Sequence, residues 1–78
     1  MEQYKNLGAD SNVQAFECDA DSITIQFKSG ANRFYLYTHD RPGAVHVENM
    51  KALAIAGQGL NSYIGKNLRS PSSFVRKW

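Results

Sequence analysis

The chain has 78 residues, of which 42% are hydrophobic, 12% aromatic and 21% charged, and its formal net charge is +2. A chain of this length can build one small hydrophobic core, and its composition excludes the disordered and fibrous classes of protein. The longest apolar run, residues 52–56, is far shorter than the ~20 residues that a membrane span requires, so we expect no membrane association.

The N-terminal residues and the cysteine content predict a cytoplasmic protein. Residues 1–10 lack the basic start, apolar stretch and small-residue cleavage site of a secretory signal. The single cysteine, Cys18, excludes an internal disulfide framework and a cysteine-based zinc site.

Residues before position 40 predict three antiparallel strands, at about 13–18, 22–28 and 33–39. In the second segment, Ile23, Ile25 and Phe27 alternate with polar residues, which is the pattern of a strand with one buried face. The third segment is rich in aromatic residues, which favour strands, and both of its faces are partly apolar.

Beyond position 40 the spacing of apolar residues predicts two helices, at about 42–57 and 60–69. Asp40 is placed to cap the first helix, and Gly57 is placed to end it. The second helix carries apolar residues at the spacing i, i+3 and i+4 from Leu60, which makes it amphipathic.

These elements predict an α+β fold, a three-stranded antiparallel meander followed by two helices packed on one face. A meander needs cover on its apolar face, and the helices are the elements that can supply it. We expect a single domain over residues 12–69, preceded by a loosely ordered segment, 1–11, and followed by a basic C-terminal tail, 70–78.

Three short motifs, in this order, resemble the KTSC domain family. Residues 27–30 read Phe-Lys-Ser-Gly, residues 35–37 form a Tyr-x-Tyr element, and residues 59–64 place Asn after Gly-Leu with an apolar residue three positions on. This family is a small module named from the C-terminus of some lysyl-tRNA synthetases, and it also occurs as stand-alone bacterial proteins. The resemblance covers residues 13–69 and implies the same fold; the synthetase association implies a role in RNA binding.

Charged residues are distributed unevenly along the chain. Residues 1–40 carry three basic and six acidic side chains, for a net charge of −3, whereas residues 41–78 carry six basic and one acidic, for a net charge of +5. Such asymmetry is typical of a surface that faces nucleic acid or a membrane, and also of a solvated basic face without a partner.

The residues that we predict to contact nucleic acid are two tyrosines and four cations: Tyr35, Tyr37, Lys66, Arg69, Arg76 and Lys77. If the four cations contact phosphates, nucleic-acid binding weakens as the salt concentration rises. The alternative is that they form a solvated helix face and tail without a ligand. The tyrosines either stack on unpaired bases or pack under the helices. If Phe34 and Leu36 face the core instead, the tyrosines are outside and available.

No motif in the sequence indicates an enzyme. His39 and His46 lack cysteine partners and a helical His-x-x-x-His pair, and neither a nucleophile elbow nor a phosphate loop occurs, so we expect no catalytic residue, metal ion or cofactor. Two function classes fit the sequence. One is an accessory module that binds RNA or single-stranded DNA through the basic half; the other is a protein–protein interaction module that uses the apolar residues Phe74, Val75 and Trp78.

Overall fold

The structure, a computed structural model, describes residues 1–7 and 11–78. A five-stranded antiparallel sheet, with its strands in chain order, packs against two helices. The strands are β1 (Glu2–Gln3), β2 (Val13–Asp19), β3 (Ser22–Phe27), β4 (Phe34–Thr38) and β5 (Arg76–Lys77), and the helices are α1 (Ala44–Ala56) and α2 (Leu60–Asn67). Within the described ranges, no helix is long and apolar enough to cross a membrane.

The predicted α+β class is confirmed, but the predicted count of three strands is wrong. The sheet gains a two-residue edge strand on each side, where Glu2 pairs with Phe16 and Arg76 pairs with Leu36. Strands this short are held by backbone pairing and carry no alternation of apolar residues that a sequence pattern would reveal. The edge strands lie in the segments 1–11 and 70–78, and residues 8–10 of the first segment lie outside the described residues.

The core forms on one face of β3 and β4. Ile23 and Ile25 are fully buried, and they pair with Tyr37 and Tyr35 of β4. The helices cover this face with side chains that are themselves fully buried, Val47, Met50 and Leu60. Apolar alternation in β3 therefore selects the side of the sheet on which the helices pack.

The opposite face of the sheet, which we call the outer face, follows from the same register. Phe34 and Leu36 pair with Gln26 and Thr24, so these four residues alternate with the core residues and point away from the helices. Phe34 and Leu36 are both half-buried. Strand β4 thus places Tyr35 and Tyr37 on the core face of the sheet and Phe34 and Leu36 on the outer face.

Helix α1 begins later than the sequence predicts. Gly43 is its N-cap and makes no side-chain capping hydrogen bond, so the predicted cap by Asp40 is wrong. The carbonyl of Thr38 accepts hydrogen bonds from the amides of Arg41, at 3.0 Å, and Gly43, at 3.3 Å. These bonds form a turn over residues 38–43, and the helix starts only after it.

The junction between the helices is fastened by the N-terminal segment. Gly57 ends α1 with φ 80°, and a Cβ there would lie 2.7 Å from the Cβ of Lys5, so both the backbone conformation and the close approach require glycine. Tyr4 is buried, and its hydroxyl accepts a hydrogen bond of 3.3 Å from the amide of Leu60. The start of α2 is thereby tied to residues 4–7.

A surface ion cluster joins α1 to the sheet end that holds the β2–β3 turn. Glu48 Oε2 lies 2.9 Å from His39 Nε2 and 3.0 Å from Lys51 Nζ, and Lys51 also donates to the carbonyl of Ala20 at 3.0 Å. Hydrogen bonds from His39 and then from Lys51 hold the pKa of the Glu48 carboxyl below its usual range. Because Glu48 is exposed, this cluster orients side chains more than it stabilises the fold.

The burial pattern predicts a large difference between two isoleucines. Ile25→Ala removes a side chain that is 0% exposed in β3 and should lower the free energy of unfolding by about 2–5 kcal/mol. Ile55→Ala removes the same atoms from a position that is 63% exposed on α1, and should change it by less than about 0.5 kcal/mol. Urea denaturation of both variants measures the difference, and similar losses would contradict the packing described.

Candidate functional site

An open groove of about 550 Å³ lies between the β3–β4 turn, the end of α2 and β5. Ligand sites in proteins are typically concave, ~300–1,000 Å³ in volume, and lined by apolar and aromatic side chains with a few polar groups. Aromatic rings, the aliphatic residues Ile64 and Leu68, two cations and several amide and hydroxyl groups line this groove.

Three aromatic rings form the floor of the groove, with Tyr35 at the centre. The Tyr35 ring meets Phe27 edge to face at a centroid distance of 5.2 Å, and meets Phe74 in the same way at 4.9 Å. Edge-to-face geometry is favourable for aromatic pairs at these distances. All three side chains are only partly buried, so part of their ring surface remains available to a ligand.

The groove exists because the helices cover only part of the sheet. Tyr35 lies on the same sheet face as Ile25 but is only partly buried, and the groove beside it is lined by Ile64 of α2 and by Leu68 and Arg69, which follow the helix. The chain then turns through a short 3-10 helix at Pro71–Ser73. Phe74 follows, packs on Tyr35 and closes one side of the groove.

Two cations border the aromatic floor. Lys77 of β5 pairs with Tyr35 of β4, which puts both on the helix side of the sheet, and Lys77 Nζ lies 5.7 Å from the centre of the Phe74 ring. Arg69 is exposed just beyond the end of α2. Neither cation takes part in the ion pairs found among the described residues, both of which involve Glu48.

Hydrogen-bonding groups line the opposite rim. Asn12 precedes β2, while Ser29 and Asn32 belong to the β3–β4 turn. The hydroxyl of Ser29 donates to Asn12 Oδ1 at 3.2 Å, and the amide of Lys28 donates to the Asn12 carbonyl at 2.8 Å. These bonds hold the turn against the start of β2 and leave amide groups at the rim of the groove.

The structure brings four of the predicted contact residues to the groove, namely Tyr35, Tyr37, Arg69 and Lys77. Lys66 is exposed on α2 and does not line the groove, and Arg76 lies on the outer face, where its guanidinium carbon is 4.6 Å from the centre of the Trp78 ring. Of the two tyrosines, Tyr35 alone presents appreciable surface.

Tyr37 belongs to the core. It is 2% exposed, and desolvation, with a smaller effect from the neighbouring Tyr35, raises the pKa of its hydroxyl. Phe34 and Leu36 face outwards, so Tyr37 lies on the core face of β4. Of the two alternatives for the tyrosines, Tyr37 follows the one in which the ring packs under the helices. A tyrosine can stack on a base only if its ring is exposed, and the ring of Tyr37 is buried.

Acidic and basic side chains concentrate at opposite ends of the sheet, and this separation differs from their order in the sequence. We call the sheet end that holds the β2–β3 and β4–α1 connections the acidic end; Asp19, Asp21, Asp40 and Glu48 lie there and outnumber the two cations Arg41 and Lys51. We call the end that holds the groove the basic end; it carries Lys28, Arg33, Arg69 and Lys77. Asp10 lies outside the described residues.

Sequence reasoning missed several residues of this site. Lys28 and Arg33 do not line the groove, but the β3–β4 connection places both of them at the basic end, although they belong to the acidic half of the sequence. Asn12 and Asn32 gave no signal because polar residues at strand ends are common in turns. The register between β3 and β4, which places Tyr35 beside Ile25, has no signal in the sequence because both faces of β4 carry apolar residues.

In the part of the chain that the structure describes, no three His, Cys, Asp or Glu side chains form a group that would hold a metal ion. His46 instead joins the helices, since its Nδ1 lies 2.6 Å from the hydroxyl of Tyr63. Comparisons of the chain with protein-family models, with curated proteins and with solved structures found no match.

The buried hydroxyl of Tyr37 predicts a dependence of stability on alkaline pH. An unfolded chain loses this proton near pH 10.0, whereas the folded chain retains it to higher pH. The free energy of unfolding should therefore fall as the pH rises above about 10, and it should fall less in Tyr37→Phe. Urea denaturation of both proteins at neutral pH and at about pH 11 tests this, and parallel losses would contradict it.

Proposed function

We propose that this protein is a small KTSC-like accessory module that binds RNA or single-stranded DNA in the groove, and that it has no catalytic activity of its own. The observation that carries the proposal is the meeting of Tyr35, Arg69 and Lys77 in one open groove. An aromatic floor beside cations is the combination that single-strand binders use, since it meets a planar base and a phosphate together.

The base of an unpaired nucleotide enters the aromatic floor and stacks on one of its rings, since Phe27 and Phe74 both stand nearly perpendicular to Tyr35. Stacking on an aromatic side chain contributes ~1–3 kcal/mol per base and tolerates every base, because each has a π face. Arg69 and Lys77 contact the phosphates, which position the strand without reading its sequence. Binding is accordingly weak, salt-dependent and broad in sequence.

The groove favours single strands over duplexes. A base reaches the aromatic floor only when it is unstacked and unpaired, which a loop or a single strand allows at small cost. Asn12, Ser29 and Asn32 at the rim offer hydrogen bonds to the base edges. The acidic end repels the same polyanion, so the strand approaches by the basic end.

Lys66 has a smaller role in this proposal than the sequence suggests. It lies in the last turn of α2, is exposed, and does not line the groove. Lys66 therefore contributes to the field of the basic half and makes no contact with a base in the groove. Its substitution should weaken binding less than substitution of Arg69.

A protein–protein interaction module is the second candidate function. The observation that favours it is the exposure of apolar side chains near β5, with Val75 47% and Trp78 45% exposed. Phe74, the third residue expected at such a surface, packs inward against Tyr35. An apolar docking surface changes little with salt, whereas phosphate contacts weaken steeply, so salt dependence separates the two candidates.

The proposal predicts how charge reversal changes salt dependence. Arg69→Glu should weaken binding of a labelled oligouridylate and reduce the slope of log affinity against log salt by about 0.7, the value for one phosphate contact to a single strand. Arg41→Glu makes the same chemical change next to Asp40 at the acidic end and should change the slope much less. Fluorescence anisotropy at several salt concentrations measures both variants.

Two outcomes would contradict the proposal. Absence of binding in low salt would mean that the groove does not take single strands. Equal effects of Arg69→Glu and Arg41→Glu would mean that net charge, and not the groove, determines affinity.

A further inference from the structure

We infer that a bound single strand continues from the groove across β5 onto the outer face of the sheet, where Phe34, Arg76 and Trp78 form a second stacking site. This inference rests on the proposed function, because the groove is the first of the two sites. It specifies the path that the bound nucleic acid follows on the protein surface, and it sets a minimum length for the ligand.

The second site is a compact group of side chains on the outer face. The rings of Phe34 and Trp78 are nearly parallel, at 13°, with centroids 5.6 Å apart. The guanidinium of Arg76 lies 4.6 Å from the centre of the Trp78 ring, within the range of a cation–π interaction. Trp78 nevertheless remains 45% exposed, which leaves aromatic surface in contact with solvent.

Alternation along the end of the chain places the two sites on either side of one strand. Lys77 lines the groove, while Arg76 and Trp78, its neighbours in sequence, lie on the outer face. Strand β5 is the last in the sheet order, so its outer side bears no further strand of the described sheet. A ligand that passes from one site to the other goes around the exposed edge of β5 and meets no other strand of the described sheet on the way.

Charge complementarity identifies the ligand as a polyanion that carries planar groups. Arg76 and Lys77 place one cation on each face of β5, because they are consecutive residues that pair with Leu36 and Tyr35 on opposite faces of β4. The acidic residues Asp19, Asp21 and Asp40 lie at the other end of the sheet. A single-stranded nucleic acid carries a phosphate and a base in every nucleotide. It therefore suits a surface that offers a cation and an aromatic ring on each face of β5.

The two sites predict that affinity depends on the length of the ligand. A dinucleotide occupies the groove alone and does not reach Trp78. A strand of about eight nucleotides, within the site sizes known for single-strand binders, occupies both sites. Trp78 reports this directly because it is the single tryptophan of the chain, so a change in tryptophan emission comes from the outer face.

The test uses fluorescein-labelled and unlabelled oligothymidylates of these two lengths with the full chain. We expect the longer strand to quench Trp78 emission and to bind about tenfold more weakly to Trp78→Ala, as the loss of one stacked base predicts. The dinucleotide should leave Trp78 emission unchanged and should bind equally to both proteins. Backbone hydrogen bonds join Trp78 to Phe34, so Trp78→Ala keeps β5 in place, and circular dichroism verifies its fold.

The outcomes separate this inference from the proposed function. If the longer strand binds in a manner that depends on Arg69, but neither quenches Trp78 nor loses affinity in Trp78→Ala, the inference is wrong and the groove remains the binding site. If neither oligonucleotide binds, both proposals are wrong. Quenching measured in the unmodified protein decides the matter even if Trp78→Ala proves unstable.

Discussion

The burial of one face of β3 and β4 under the helices is the constraint on which the rest of the molecule depends. In the observed register, Ile23 faces the core beside Tyr37, and Ile25 faces it beside Tyr35. A slip of one residue would turn Phe34 and Leu36 inward and would carry both tyrosines to the outer face. The burial of Tyr37 against Ile23 makes such a slip costly, because its large ring would leave the core and become exposed.

The candidate site exists because the two helices cover only part of the core face of the sheet. Helix α2 spans only eight residues, and the sheet face changes from buried at Tyr37 to partly buried at Tyr35, where Ile64 of α2 lines the groove without closing it. Phe74 packs edge to face on Tyr35 and covers part of the remaining surface. The same short C-terminal segment then supplies β5, which places Lys77 in the groove and Trp78 on the outer face. The core, the groove and the outer cluster are therefore successive consequences of one register.

Several elements were predictable from the sequence because one physical pattern determined them. The alternation of Ile23, Ile25 and Phe27 predicted β3, and apolar spacing predicted both helices to within a few residues. The edge strands were not predictable, since Glu2–Gln3 and Arg76–Lys77 are exposed and held by backbone bonds. The start of α1 was missed because a turn involving Thr38, Arg41 and Gly43 competes with capping by Asp40.

The candidate site was predictable only in part. The cations Arg69 and Lys77 stand out in a chain half that is mostly basic, and the Tyr-x-Tyr element marks Tyr35. Both faces of β4 carry apolar residues, so the sequence alone left open which face is buried. The polar rim, and the convergence of Lys28 and Arg33 on the basic end, depend on tertiary structure that has no local signature.

The central claim, that single strands bind at the basic end of the sheet, is tested most directly by chemical-shift mapping. The amide resonances of the full chain are followed while an unlabelled oligouridylate is added in low salt. The account predicts shifts at residues 27–33 and 68–78, with little change at residues 19–21 and 38–41 at the acidic end. Shifts centred on the acidic end, or none at any oligonucleotide concentration, would contradict it.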